Sequence, residues 1–265
     1  MKFDEQYTKY WENTINKSID GTVIAGVNEV RQYMNYLEFT KVKILLDLGC
    51  SFGRMYEPLS KYSDAIYGVE PDPYAAERAR LQPYSDVRQG AAEQTGFAEE
   101  FFDGVFCWAV FDVVDQKKGL TEMNRILKVG GKLLLTGKNN NYLPDDVLAF
   151  KAEKNANLKN FPNRFTDLAV LLTNFTKFGF QLDKLLIFRQ RGDFGLVHFE
   201  DYGNKILDNY AGYEYLIIGH KIGKHDANAI ESLNIENKFS KTAETMAKKH
   251  GCGGSSEYFK AIGID

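Results

Sequence analysis

The sequence has few cysteines, no long apolar run and little excess charge. Its three cysteines, Cys50, Cys107 and Cys252, lie far apart and form no C-x-x-C pair, so neither a zinc site nor a disulfide framework is expected. No apolar segment approaches the roughly 20 residues that span a bilayer, and the polar N-terminus has no signal region. A formal net charge of −3 gives no general attraction to nucleic acid. We therefore expect a cytoplasmic protein with no metal, nucleic-acid or membrane partner.

The most informative segment is a short apolar run that ends in glycine. Residues 44–48 predict a buried parallel strand, and Gly49 and Gly53 follow with the spacing G-x-x-x-G. This is neither the dinucleotide pattern G-x-G-x-x-G nor a P-loop, which would continue with Lys and Ser or Thr. Asp47 at the strand end would repel a pyrophosphate but attract a cationic group. The segment therefore indicates a ligand that carries an amino group or a sulfonium.

The next predicted strand ends in a second carboxylate. Residues 65–70 are mostly apolar and finish at Glu70, at the same edge of the predicted sheet as Gly49. A carboxylate in this position can accept two hydrogen bonds from a ribose diol. The glycine loop and Glu70 together predict a ligand of the adenosine type with a cationic tail.

These segments resemble motifs of the class I S-adenosylmethionine-dependent methyltransferases, and of their small-molecule, methyltransferase type 11 members in particular. Further segments resemble the rest of that fold in the right order: the third strand with the adenine-binding turn, the fourth strand, and a helix, double-glycine turn and fifth strand, at residues 86–93, 101–110 and 120–136. The resemblance implies S-adenosylmethionine as the cofactor and S-adenosylhomocysteine as its product.

The resemblance also assigns residues to the cofactor. The cofactor-binding residues that it implies are Asp47, Gly49, Cys50, Ser51, Gly53, Arg54, Glu70, Pro71, Asp72, Ala91, Ala92, Glu93, Trp108, Ala109 and Val110, with Tyr7, Tyr10 and Trp11 as aromatic residues of an N-terminal cap. One position departs from the family, which commonly has an aspartate where Ala91 stands. Glu93, a backbone carbonyl or a water must then accept the hydrogen bond of the adenine amino group.

The order of predicted elements gives the fold class. We expect an α/β fold with a doubly wound, seven-stranded, Rossmann-like sheet whose last strand is antiparallel, together with a helical N-terminal cap and a helical C-terminal tail. The predicted domains are residues 1–40 (cap), 41–224 (core) and 225–265 (tail). The tail is a packing helix, a homodimer contact or a join to a further domain. Residues 189–212 form either a substrate lid or a surface excursion. Helices are predicted over 54–62, over 145–178 with a break around 160–163, and over 227–247.

Methyl transfer needs the nucleophile, methyl and sulfur in line, and a hydroxyl nucleophile also needs a base. Asp112 follows the fourth strand, where many small-molecule members carry histidines. It is predicted as a base or, equally, as a helix N-cap or an electrostatic partner of the donor. His198 is the other catalytic candidate. Residues 139–141 supply amides without the acid that a metal-dependent reaction would need.

The sequence leaves the acceptor open. The polar and aromatic loops at 138–144 and 189–202 favour a hydroxyl of a sugar or glycan precursor. The alternatives are a nitrogen of another small metabolite and a non-catalytic S-adenosylmethionine-binding protein with an interaction or regulatory role. An oxidoreductase that uses a nicotinamide cofactor is disfavoured because G-x-G-x-x-G is missing.

Overall fold

The computed structural model describes residues 26–262. Tyr7, Tyr10 and Trp11 lie outside the described residues. The strands are β1 Val42–Leu48, β2 Ser63–Glu70, β3 Asp86–Gln89, β4 Phe102–Cys107, β5 Leu127–Lys138, β6 Phe165–Thr166, β7 Phe180–Phe188, β8 Glu200–Gly203, β9 Glu214–Lys221 and β10 Glu236–Asn237. Eight of them form one sheet in the order β3-β2-β1-β4-β5-β9-β7-β8, and β6 pairs with β10.

Helices connect these strands and cover both faces of the sheet. They are α1 Val27–Tyr36, α2 Tyr56–Leu59, α3 Pro73–Ala79, α4 Gln116–Ile126, α5 Val147–Leu158, α6 Leu168–Thr173, α7 Ala227–Glu231, α8 Lys241–Lys249 and α9 Ser255–Ala261, with a 3-10 turn at Phe175–Phe178. Carboxylates begin two of the helices that flank the site. Asp72 accepts the backbone N–H of Ala75 in α3, and Asp115 accepts that of Lys118 in α4.

The core has two apolar layers because strand side chains alternate between the faces of the sheet. On one face Leu46 and Leu48 of β1 pack in a cluster with Leu120 and Met123 of α4. On the other face Leu45 belongs to a cluster that also contains residues of α1 and α2. The chain order reverses between β1 and β4, and a crevice opens there at the carboxyl ends of the strands, where ligands of open α/β sheets bind.

The predicted fold class is confirmed, with corrections to the element count and bounds. The main sheet has an eighth strand, β8, because residues 200–203 of the insert pair with β7. The helix predicted over 54–62 is confined to Tyr56–Leu59, and the helix predicted over 227–247 is interrupted by β10. The helical region predicted over 145–178 is broken after Leu158, as expected around 160–163, but β6 extends the break and the second helix is confined to Leu168–Thr173. As predicted, β9 lies antiparallel to β7, and it also pairs antiparallel with β5.

The C-terminal segment packs on the region that follows β5. Phe150 of α5 contacts Tyr258 and Phe259 of α9. The buried carboxylate of Glu153 accepts the backbone N–H and the hydroxyl of Ser240, the residue that caps α8. These contacts attach α8 and α9 to α5. None of the helices within 26–262 has both the length and the apolar character to cross a membrane.

Candidate active site

The first of two neighbouring cavities opens at the carboxyl ends of β1, β2 and β4. It is lined by Gly49, Ser51, Arg54, Val69, Glu70, Pro71, Gly90, Ala91, Ala92, Glu93, Trp108, Ala109, Val110, Val113 and Val114. Gly49 forms its floor with a φ of +77°, which side chains other than glycine rarely adopt. A Cβ on Gly49 would lie 2.3 Å from a methyl carbon of Val110. Glycine therefore keeps the backbone of the first loop open to a ligand.

Glu70 organises the rim of this first cavity. One oxygen of its carboxylate accepts the N–H of Ser51 at 2.9 Å, and the other accepts the N–H of Asp72 at 3.0 Å. Burial raises the pKa of Glu70 to about 7, although these two hydrogen bonds favour the charged form. The hydroxyl of Ser51 is buried beside the cavity and has no hydrogen-bond partner within the described residues. The carboxylate of Glu70 and the hydroxyl of Ser51 can therefore still form hydrogen bonds with a ligand.

Asp47 lies beneath the cavity and does not line it. Its side chain is 2% exposed and accepts the hydroxyl of Tyr84 at 2.6 Å. Burial raises the pKa of Asp47 to about 6, opposed by the Tyr84 hydrogen bond and by the charge of Arg54. Since Arg54 does line the cavity, Asp47 acts on its ligand through the electrostatic field and through Arg54.

The structure brings most of the predicted cofactor residues to this cavity, but three others besides Asp47 do not line it. The side chain of Cys50 points away from the cavity. It packs against Gly68 of β2 and belongs to an apolar cluster with Ala76 and Ala79. Gly53 faces Gln82 and Tyr84. Asp72 is occupied in capping α3. None of these three lines the cavity, and their assignment to the cofactor stays a prediction.

Four lining residues were not predicted: Val69, Gly90, Val113 and Val114. Val69 and Gly90 adjoin predicted residues at the ends of β2 and β3, and strand alternation alone could have suggested them. Val113 and Val114 lie in the turn before α4. Their signal in the sequence was an apolar pair in a turn that otherwise carries Asp112 and Asp115.

The second cavity lies at the carboxyl ends of β4 and β5 and shares Ala109 with the first. It has a volume of about 250 Å³ and is lined by Ala109, Asp112, Thr136, Gly137, Lys138, Phe194, Glu214 and Tyr215. Ala109 has a φ of +56°, and its N–H donates to the hydroxyl of Thr136 at 2.8 Å. This hydrogen bond holds the residue that separates the two cavities.

An ion pair and an additional carboxylate give the second cavity its charge. Asp112 lies 2.6 Å from the ammonium nitrogen of Lys138, which also donates to the side-chain oxygen of Asn163 at 2.8 Å. Burial disfavours the charge of Lys138, but the charge and hydrogen bond of Asp112, together with Tyr213 and Glu214, outweigh burial and raise the pKa of Lys138. Burial raises the pKa of Glu214 to about 7, against the opposing charge of Lys138.

The two predicted catalytic residues lie in different surroundings. Asp112 lines the second cavity, with its carboxylate engaged by Lys138. The side chain of His198 is 78% exposed, lies 3.6 Å from Asp193 and lines neither cavity. The structure therefore does not bring His198 to either cavity, because its loop turns the imidazole outward to solvent. Sequence reasoning missed Lys138 and Glu214 as site residues.

The insert between β7 and β9 covers the second cavity through Phe194. The ring of Phe194 packs against Trp108 and Phe188, with centroids 5.0 and 4.7 Å away. The hydroxyl of Tyr33 in α1 donates to the backbone carbonyl of Phe194. Of the two interpretations of this insert, these contacts favour the lid.

Comparisons with known proteins agree with this geometry. The methyltransferase-domain family matches residues 46–135. A curated relative, the ubiquinone biosynthesis O-methyltransferase of Cereibacter sphaeroides, is 32% identical over 103 residues, which are 37% of this chain and 42% of the relative. The chain thus matches less than half the length of that relative.

Two solved structures are similar in fold. One is an S-adenosylmethionine-dependent methyltransferase from Thermotoga maritima, a possible histamine N-methyltransferase, with 24% identity, a TM-score of 0.59, and coverage of 80% of this chain and 97% of that one. The other is the Haloferax volcanii complex of a methyltransferase with its Trm112 activator, with 14% identity, a TM-score of 0.58, and coverage of 84% and 100%. At these identities both support the fold alone.

Proposed function

We propose that this chain, which carries the domain of the class I S-adenosylmethionine-dependent methyltransferases, transfers a methyl group to a small-molecule acceptor held in the second cavity. The observation that carries the proposal is the junction of the two cavities at Ala109. A donor in the first cavity and an acceptor in the second would meet at this residue. Holding two reactants in line at such a junction supplies much of the rate of a displacement reaction.

The residues of the first cavity fit S-adenosylmethionine. Glu70 can accept hydrogen bonds from a ribose diol with the lone pairs that Ser51 and Asp72 leave open. The unpartnered hydroxyl of Ser51 is available to the carboxylate of a methionine moiety. Asp47 provides negative charge beneath a cationic tail. When bound, the cofactor supplies a methyl group on a positively charged sulfur, and these residues bind and orient it.

The proposed acceptor is a small polar molecule. The relative from Cereibacter sphaeroides is by its name an O-methyltransferase of ubiquinone biosynthesis, which supports a small-molecule acceptor. A hydroxyl of a sugar or glycan precursor remains the acceptor that the sequence favours. The ion pair of Asp112 and Lys138 can bind neighbouring hydroxyls, and the ring of Phe194 offers a face for stacking. A nitrogen acceptor is the second candidate, and the carboxylate of Glu214 favours it.

A product assay tests this function. The protein is incubated with S-adenosylmethionine and a panel of monosaccharides, phenols and primary amines, and S-adenosylhomocysteine is quantified. We expect at least one acceptor to raise product formation well above the level of Glu70→Ala, which removes the ribose ligand. Equal rates in both proteins with every acceptor, despite donor binding by the wild type, would favour the non-catalytic binding role instead.

A further inference from the structure

We infer that the second cavity binds an acceptor through a protonated amino group, and that Glu214 is its anionic partner. This inference rests on the proposed function, since it takes the second cavity as the acceptor site. It concerns the group by which the acceptor is held, so an amino sugar or another hydroxylated amine would satisfy it as well as a simple amine. The inference starts from the position of one carboxylate.

The carboxylate of Glu214 lines the second cavity and accepts no hydrogen bond from the described residues. Glu214 is paired in register with Lys138 on the neighbouring antiparallel strand, so the two side chains project from the same face of the sheet. Both residues line the cavity. Lys138 is already engaged by Asp112 and by Asn163. Within residues 26–262 no side chain or backbone group donates a hydrogen bond to the carboxylate of Glu214, although its backbone is paired in the sheet. The carboxylate is therefore left for a ligand.

The charges around Glu214 do not balance. Lys138 and the exposed Arg191 are the cations that act on it, and Asp112 and Asp146 are the anions. Asp146 is occupied by the backbone N–H groups of Ala149 and Arg191. Including Glu214 itself, three negative groups thus face two positive ones. Phe188 of β7, which is paired in register with Glu214 on its other side, adds no charge.

A partly buried carboxylate without a hydrogen-bond partner is destabilising, and two outcomes relieve the cost. One is protonation, in accord with the pKa of about 7 that burial produces in Glu214. The other is a cation in the cavity. A hydroxyl would give Glu214 one neutral hydrogen bond, whereas an ammonium group would give it a charge-assisted one and restore electroneutrality. The charge of the cavity therefore selects an amine over an alcohol, and it disfavours an anionic acceptor.

The test is calorimetric titration of the protein saturated with S-adenosylhomocysteine at pH 8. The probes are two matched pairs, 2-phenylethylamine with 2-phenylethanol and 6-amino-6-deoxyglucose with glucose. We expect the amine of at least one pair to bind about tenfold or more tightly than its alcohol. Glu214→Gln should remove this preference. Asp64→Asn, which removes an exposed carboxylate at the opposite edge of the sheet, should retain it.

Lowering the pH provides a second measurement that needs no variant. Protonation of Glu214 below about pH 7 should weaken amine binding about tenfold between pH 8 and pH 6, with no such change for the alcohols. Equal affinity for amine and alcohol in both pairs, or no amine binding at all, overturns the inference. Failure of the proposed function differs from this result, because it appears in the product assay as no methyl transfer to any acceptor, whether or not the amines bind more tightly than the alcohols.

Discussion

The carboxylate of Asp112 lies 2.6 Å from the ammonium nitrogen of Lys138, in a cavity that adjoins the predicted donor site. Both side chains are largely buried. Because of this pairing the carboxylate of Asp112 is already engaged, and its role as a base stays a prediction. The pairing leaves Glu214 as the carboxylate of the cavity without a hydrogen bond from the described residues.

Removing one partner of the Asp112–Lys138 ion pair should lower the free energy of unfolding more than removing both partners. We expect Asp112→Asn and Lys138→Met each to lower the free energy of unfolding by about 1–3 kcal/mol, because each leaves a buried charge without its partner. The double variant should recover part of that loss. Urea denaturation measures all three proteins, with Lys41→Met in the exposed pair with Asp64 as the control. Additive losses in the double variant would mean that the two residues act independently.

Gly49 should be required both for folding and for donor binding. Gly49→Ala places a Cβ 2.3 Å from Val110 and forces alanine to a φ of +77°, so we expect a loss of about 1–3 kcal/mol and no binding of S-adenosylhomocysteine. Gly130→Ala is the matched control, with a φ of +79° but no atom within 4 Å of its Cβ. It should be destabilised by backbone strain but should bind S-adenosylhomocysteine normally. Normal binding of S-adenosylhomocysteine by Gly49→Ala would contradict the placement of the Gly49 loop in the donor site.

The buried charge of Asp47 should lower the stability of the protein but favour binding of the donor. Since burial raises its pKa to about 6, the folded protein holds this proton more tightly than the unfolded chain does, and the stability contributed by that proton is lost as pH rises from about 4 to 6. Asp47→Asn should therefore stabilise the ligand-free protein by about 1–3 kcal/mol at pH 7.5, and by less at pH 4.5.

The same variant should bind S-adenosylmethionine much more weakly, because the negative charge beneath the cationic tail is gone. Urea denaturation and calorimetry measure the two effects, with Asp64→Asn as the exposed control. A destabilised Asp47→Asn protein with unchanged donor affinity would contradict both parts of the prediction.

The hydroxyl of Tyr33 should hold the insert in place over the second cavity. Tyr33→Phe keeps the ring packing against Trp108 and Phe188 but removes the hydrogen bond to the carbonyl of Phe194. The loss of about 0.5–1.5 kcal/mol should speed tryptic cleavage at Arg189 and Arg191 roughly 2- to 10-fold. Tyr62→Phe, whose hydroxyl bonds to Asn35 instead, is the control. An unchanged cleavage rate in Tyr33→Phe would show that this bond does not restrain the insert.

The first cavity could be predicted from the sequence because its residues follow strand ends in local motifs. Gly49 and Glu70 can each be identified by residue type and by position within a few residues of an apolar run. The second cavity could not be predicted in this way. Lys138 and Glu214 are 76 positions apart in the chain, and only the register of β5 against β9 makes them neighbours.

Two further differences have local physical reasons. The strand β8, Glu200–Gly203, is short and polar, so it lacks the β-branched residues that mark a strand, and it forms because β7 offers an unpaired edge. His198 was a reasonable catalytic candidate by residue type. Whether a side chain in a long loop points inward or outward depends on contacts that the sequence does not reveal, and Phe194 takes the inward position.

Calorimetric titration with S-adenosylmethionine, S-adenosylhomocysteine and NAD tests the central claim most directly. We predict binding of both sulfur nucleosides and no binding of NAD to the wild-type protein, and loss of binding in Glu70→Ala, since the ribose would lose its carboxylate ligand. Binding of NAD, or failure of both sulfur nucleosides to bind the folded wild-type protein, would contradict the assignment of the first cavity as the donor site.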